Sequence, residues 1–262
     1  MPTIIKLADG LADARINKQW LDRRDMADLF ASFNLTQAYR IQHAVTAKRQ
    51  ATGDKLAGYK ISMTSPETQA IFEAHEPLYG QLTASQVHEC GSAENFVLEL
   101  GQMNAPLLEL ELVFIAQADL LASDTPETLC EKCTVAPCLE IPDSRYADWF
   151  PNLSLMQVCV DGAVGGKIVL GEAVEADYEG VREVVGQLSH NGKMLHKASA
   201  DTVLGHPAIA LKWLVDKLDA QSLHIRAGMK VSTGSFGLPV PLETGNYVGE
   251  FTNFGQIRMT VR

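Results

Sequence analysis

The chain has 262 residues, 46% of them hydrophobic and 21% charged, and its mean hydropathy is −0.01. That is globular composition, and it excludes the collagen-like, coiled-coil and disordered classes. Lys and Arg number 22 against 32 Asp and Glu, a formal net charge of −10. No basic run offsets this charge, so neither nucleic acid nor an anionic membrane is expected as a partner. No stretch approaches the roughly 18–20 apolar residues of a membrane span. Asp and Arg enter the N-terminal segment too early for a secretory signal. Five cysteines, an odd number in a chain long enough to do without disulfides, point to a reducing, cytoplasmic setting.

The first third reads as helical. Asp25–Phe30 and Thr36–Val45 space apolar residues at helical intervals, with Thr36 as a candidate N-cap. The pattern turns to alternation over Asp54–Met63, which carries Leu56 and Lys60 on a strand. Thr64-Ser65-Pro66-Glu67 opens a short helix with a hydroxyl cap and Pro in the first turn. From Ala105 strand signals dominate. Leu107–Ile115 is an apolar run broken only by Glu109 and Glu111.

Asp124–Cys133 reads as a crossover helix and Val135–Ile141 as another apolar strand, carrying Glu140. Val158–Leu170 reads as strands around a turn at Gly162–Gly166. Asn191-Gly192 marks a hairpin, because this pair supplies the positive φ angles of a type I′ turn. His206-Pro207 starts an amphipathic helix over Ala208–Leu218, with a packing role for His206. Lys230–Arg262 alternates through short strands separated by Gly. The expected class is therefore α+β: a helical N-terminal cap over residues 1–75 and a β-rich core over 76–262, forming one structural unit.

The sharpest chemical feature is the pair Glu109 and Glu111. Side chains alternate faces along a strand, so the two carboxylates share one side. Side by side on an apolar strand they repel each other and are costly to bury, and a cation between them removes both problems. Alternation alone equally allows the pair to decorate the solvent face of an edge strand. Glu140, in a similar apolar strand, tips the balance toward three oxygen ligands for Mg²⁺ or Mn²⁺. Lys60 is a lone cation on an apolar strand, suited to orienting a carboxylate or shuttling a proton, or else snorkelling to the surface. Cys130, Cys133 and Cys138 lack the partners of a zinc set and read as small buried hydrophobes. Residues 161–168 approach a phosphate-binding loop but lack its first Gly and the Ser or Thr after Lys167.

Taken in order, Ala38–Gln42, Gly58–Ser65, Pro77–Gly80, Glu109-Leu-Glu111, Leu139-Glu140-Ile141, Asp143–Tyr146, Leu204–Pro207 and Thr233-Gly234 resemble the fumarylacetoacetate hydrolase superfamily. Within it they are similar to the hydratase/decarboxylase branch of aromatic meta-cleavage pathways. The resemblance implies the family's mixed β-rich core and a homo-oligomer. It implies that Glu109, Glu111 and Glu140 hold Mg²⁺ or Mn²⁺, that Lys60 is catalytic, and that Thr233 and Gly234 lie beside the substrate.

The implied activity is that of a metal-dependent lyase on a 2-hydroxydienoate or 2-oxo-enoate, hydrating it to a 4-hydroxy-2-oxo acid. Decarboxylation of a 4-oxalocrotonate-like diacid is the alternative. Binding of a 2-oxo acid or of a partner protein without turnover is a third reading. Two positions depart from the family pattern and bear on substrate binding. Leu78 stands where hydratases often carry Asp, and Asp161-Gly-Ala-Val164 stands where Asp-Asn-Ala-Ser is usual. Leu78 and Val164 pull toward decarboxylation, since CO₂ departs more readily from an apolar wall.

Overall fold

The computed structural model describes residues 2–25, 27–91 and 94–262. In chain order, helices α1 (Pro2–Asn17), α2 (Ala27–Ala31) and α3 (Leu35–Ala51) lead into strand β1 (Leu56–Ser62), helix α4 (Pro66–Ile71), and strands β2 (Leu78–Thr83), β3 (Val87–Glu89) and β4 (Asn95–Leu98). The long strands β5 (Leu107–Ala116) and β6 (Cys133–Ile141) flank helix α5 (Pro126–Glu131). Helix α6 (Leu155–Val160) precedes β7 (Lys167–Leu170), and helix α7 (Tyr178–Arg182) precedes the hairpin β8 (Val185–His190) and β9 (Lys193–Ser199). Helix α8 (Pro207–Asp219), strand β10 (Lys230–Ser232) and the pair β11 (Gly245–Phe251) and β12 (Gly255–Val261) complete the chain.

One sheet of nine strands runs β2-β1-β10-β5-β6-β7-β3, with two short strands attached to β5 and β6. Its two ends, β2 and β3, are consecutive in sequence and joined only by the turn Ala84–Gln86. The sheet must therefore curl until its edges nearly meet. Leu82 of β2 accordingly packs with Val113, Ala136, Cys138, Ile168 and Leu170, which lie across the sheet. The opposite face, with Leu110, Leu112, Phe114, Leu139 and Val231, belongs to the main core. A second sheet, ordered β9-β8-β11-β12-β4, contributes Leu188, Tyr247, Phe251, Ile257 and Met259 to that core. The mixture of helix and strand is the α+β class expected. β1 is an inner strand of the curled sheet, although it precedes residue 75.

Several local expectations hold to within a residue or two, and others move. The Asn191-Gly192 turn has φ of 49° and 80°, both left-handed as a type I′ turn requires. His206 caps α8, its Nδ1 accepting from Ala208 N at 2.9 Å. Thr36, however, does not cap α3. Asn34 does, accepting from Gln37 N at 3.0 Å while Gln37 Oε1 accepts from Asn34 N; this reciprocal box starts the helix two residues earlier. α2 begins at Ala27, and Met26 lies outside the described residues.

The strands expected from Val158 onward are corrected too. Ser154 and Gln157 form another capping box, so the apolar run over 158–160 is helical, a pattern too short for periodicity alone to assign. Gly162, Ala163 and Val164 then turn left-handed, at φ 68°, 51° and 51°, before β7 begins. For a β-branched residue such as Val164 that conformation is strained.

The strands β6 and β7 are held to this turn by a buried polar staple. Asp161 accepts from Ser144 Oγ at 2.6 Å and from Arg145 N at 3.1 Å, and pairs with the Arg145 guanidinium. Asp143 accepts from Asn104 N and Ala105 N, both at 3.0 Å. Together these contacts fix the chain between Glu140 and Val164. Replacing Asp161 with Ala would leave Arg145 buried without its charge partner, a defect worth about 3–5 kcal/mol. Urea unfolding of Asp161→Ala should show a loss of that order against the native protein.

Candidate metal centre and pocket

Strand register assembles the site. In the antiparallel pair β5–β6, Glu109 lies directly opposite Glu140 and Glu111 opposite Cys138, so all three carboxylates project from one face. β10 lies between β5 and β1, with Ser232 opposite Val113 on one side and Lys60 on the other. Lys60 therefore shares the glutamates' face. One oxygen from each of Glu109, Glu111 and Glu140 falls within 4.8 Å of the others.

The hydrogen bonds of these groups are unequal. Glu111 Oε2 accepts from Ser232 Oγ at 2.5 Å and from Gly234 N at 3.1 Å. The Lys60 ammonium is paired with Glu140 Oε1, yet neither Glu140 oxygen has a partner in hydrogen-bonding geometry. Lys60 is 2% exposed and Glu140 1%. Orphaned buried carboxylate oxygens, converging with two further carboxylates, are what a hard divalent cation satisfies. The donor set fits Mg²⁺ or Mn²⁺.

Electrostatics says the same. Burial, then the charge of Glu140, pushes the Glu109 carboxyl up to about 8. The same causes, with Glu109 added, drive Glu111 well above the ordinary carboxylate range. Burial pulls Lys60 down, but Glu140, Glu109 and Glu111 outweigh it and its net shift is upward. Without a cation, Lys60 is the positive group set against the three acids.

Gly234 makes the Glu111 contact possible. Its φ is +116°, and a Cβ there would stand 2.2 Å from Thr64 Oγ1, so any side chain is both strained and obstructed. Thr233 spends its hydroxyl on Leu112 O at 3.0 Å and lies buried behind Glu111. Leu78 is fully buried at the start of β2, opposite Ser62, and does not line the pocket. Val164 does.

A pocket open to solvent adjoins this face. Lys60, Glu109 and Glu111 line one part of it, and Glu140 stands behind them. Ser62, Thr64, Ser65, Thr68 and Ser235 supply hydroxyls, while Phe72, Trp149, Phe150 and Val158 supply apolar wall. The sequence reading assigned none of these nine, nor Ser232. Ser232 was the most accessible of them, since it alternates with Lys230 on a short strand ending in the left-handed Gly234. The aromatic wall carried no local signal: Phe72 follows α4, and Trp149-Phe150 lies in a loop. Cys130, Cys133 and Cys138 are buried free thiols, and burial raises the first two to about 12.

No protein-family model matches the chain. A 2-hydroxyhexa-2,4-dienoate hydratase of Comamonas testosteroni is 30% identical over 224 residues, covering 84% of this chain and 83% of the relative. The chain belongs to the hydratase/decarboxylase branch of the fumarylacetoacetate hydrolase superfamily. Among solved structures, a 4-oxalocrotonate decarboxylase from Pseudomonas putida G7, complexed with magnesium and adipate, superposes with a TM-score of 0.90. It is 22% identical and covers 100% of this chain and 98% of its own. A fumarylpyruvate hydrolase from Pseudomonas aeruginosa, in complex with Mn²⁺ and pyruvate, gives 0.60 at 16% identity, covering 78% of this chain and 88% of its own. Among the described residues, no helix is long and apolar enough to cross a membrane.

Glu140→Gln keeps the volume but removes a charge, and calorimetric titration should find Mn²⁺ affinity reduced at least tenfold. Native affinity should rise between pH 5 and 8, because Glu109 must release the proton that its raised pKa retains. In metal-free protein the sign is opposite. The folded state holds that proton more tightly than the unfolded chain, so the contribution of Glu109 to stability falls as pH rises through the same window. Gly234→Ala should weaken Mn²⁺ binding and lower the melting temperature together, since the added Cβ displaces Thr64 and detaches the amide from Glu111.

Proposed function

We propose that this chain is a divalent-metal-dependent lyase that hydrates a 2-hydroxydienoate, through its 2-oxo-enoate form, to a 4-hydroxy-2-oxo acid. The observation that carries the reading is the convergence of three carboxylates and one buried lysine at a pocket otherwise walled by hydroxyls and hydrocarbon. Glu109, Glu111 and Glu140 would hold Mg²⁺ or Mn²⁺. When bound, the ion supplies a Lewis acid that binds a 2-oxo acid and stabilises negative charge developing at its C2 oxygen.

The chain's own residues do the rest. Lys60, on the pocket lining beside the acids, would carry a proton and counter the charge of the substrate carboxylate. Ser232 and Gly234 hold Glu111 in place through its Oε2, so Gly234, with Thr233 anchored to Leu112, acts on the substrate through that ligand. Val164 forms wall against the substrate, and Leu78 supports Ser62 from behind. The aromatic wall would shield the apolar part of a substrate from bulk water.

Decarboxylation of a 2-oxo diacid is the second reading, favoured by Val164 on the lining, where the departing carboxylate would be poorly solvated. The protein is further read as a cytoplasmic homo-oligomer. Its five cysteines are free, and Met194 and Leu195 expose apolar surface on β9, an edge strand of the second sheet. Light scattering after size exclusion measures the assembly.

The deciding experiment offers the Mg²⁺-loaded protein 2-hydroxypenta-2,4-dienoate and, separately, a 2-hydroxymuconate-type diacid. Loss of the dienoate with formation of a 4-hydroxy-2-oxo acid is the expected result. CO₂ release from the diacid without hydration of the dienoate reverses the ranking. Inactivity on both with metal still bound returns the non-catalytic reading. Lys60→Met should lower kcat/KM at least a hundredfold. In EDTA it should also change stability, because Glu140 loses its partner, and Mn²⁺ should remove that difference.

A further inference from the structure

Positive charge collects behind the turn that carries Val164. A cavity between α1, α3 and this turn is lined by Arg15, Arg49 and Arg145, and a wider cleft that shares these three arginines adds Lys167. The buried and half-buried carboxylates there are already taken. Asp54 pairs with Arg49 at 2.7 Å and Asp161 pairs with Arg145, while the Asn104 and Ala105 amides donate to Asp143. At the outer part of the cleft Asp9 pairs with Lys48, and Asp13 and Lys18 are exposed. Among the described residues Arg15 and Lys167 form no ion pair. Arg15 Nη2 donates to Gly165 O at 2.5 Å, and Lys167 Nζ lies 3.2 Å from His88 Nε2. Burial, then Arg145 and Arg49, hold the Arg15 guanidinium well below its ordinary range, and burial and Arg15 pull Lys167 down.

The groups around this cavity do not satisfy one another. Gly165 O receives three donors, from Arg15, from Arg145 Nη1 at 3.0 Å and from Gln86 Nε2 at 3.0 Å, and a carbonyl has only two lone pairs. Gln42, 2% exposed, lines the cavity. Its Nε2 donates to Tyr79 O at 3.0 Å and to Cys159 O at 2.8 Å, which fixes the amide's orientation, and its Oε1 accepts from no group of the protein. Gln81 Oε1, on the same lining, also lacks a donor. The cavity thus holds uncompensated positive charge together with unused acceptors. Water would serve the acceptors and leave the charge; a fully deprotonated anion would do the reverse. An oxyanion that keeps a hydroxyl serves both.

We infer that this cavity binds inorganic phosphate as hydrogen phosphate, Arg15 and Lys167 supplying the charge and the Gln42 and Gln81 amide oxygens accepting from its hydroxyl. The site is distinct from the metal centre and does not depend on the reaction run there. It is nonetheless close to it: a Cβ at Gly165 would stand 3.7 Å from Lys60 Cδ, so the carbonyl that Arg15 holds belongs to the turn packed against Lys60.

Calorimetry and thermal melting of the full chain test it at about pH 8, where phosphate keeps one proton and methyl phosphate keeps none. Titrations are run in chloride at matched ionic strength, with Mg²⁺ loaded and again in EDTA. Phosphate should bind equally in both and raise the melting temperature. Sulfate and methyl phosphate carry the charge without the donor and should bind about fivefold more weakly or worse. Arg15→Gln should weaken phosphate binding at least roughly tenfold, and Arg15→Lys should retain most of it. Binding that requires Mg²⁺, or that persists undiminished in Arg15→Gln, puts the phosphate elsewhere and overturns the site. Absence of phosphate binding to the native protein, with Arg15→Gln melting lower, makes Arg15 a tie between α1 and Gly165 and overturns it too. Sulfate and methyl phosphate binding as tightly as phosphate overturns the ligand assigned.

Discussion

Mutual repulsion among Glu109, Glu111 and Glu140 is the constraint around which this molecule is arranged. Three carboxylates on adjacent positions of one sheet face cannot all be charged and buried without a compensating cation. Lys60 supplies one positive charge from β1, and it is paired with Glu140. Ser232 and Gly234 attend to a single oxygen of Glu111. The remainder of the charge is left for an ion to satisfy, so the stability of this face and its chemistry have the same origin.

Bringing those groups together demands a curled sheet. Lys60 and Glu140 are separated by eighty residues of chain and by two intervening strands, β10 and β5. A flat sheet would hold them well apart, since neighbouring strands lie about 4.8 Å from one another. The short turn between β2 and β3 draws the sheet edges together, and the side chains of its inner face converge. The Asp161–Ser144–Arg145 staple then locks the loop after β6 against the left-handed turn that carries Val164. Strain at Val164 is tolerated because Asp143 N donates to its carbonyl at 2.9 Å, holding the turn closed. The loop after Glu140 and the turn that lines the pocket are thereby tied together.

The hydroxyls and aromatics of the pocket divide its chemistry. Charge is confined to the end made by β1, β5 and β6, while α4, the loop at 149–150 and α6 contribute the apolar remainder. Such a partition orients an amphipathic substrate without a dedicated contact for every atom.

The alternation of Glu109 and Glu111 in an apolar strand, and the recurrence of Glu140 in another, are properties of strand periodicity, which local sequence fully expresses. The acidic cluster was legible for that reason, as were the Asn191-Gly192 turn and the start of α8. Whether the acids faced water or a core was not legible, because alternation fixes which residues share a face but not what the face meets. That was decided by β6 pairing with β5 in the register that sets Glu140 against Glu109, and by β1 reaching the same face through β10. The helix over Leu155–Val160 escaped for a related reason: six residues are too few for helical and strand periods to separate, and the Ser154 cap settled it. Phe72, Trp149 and Phe150 meet only in the folded chain. Sequence determined the charges and their spacing; tertiary structure decided their surroundings, because burial and convergence depend on contacts between segments far apart in the chain.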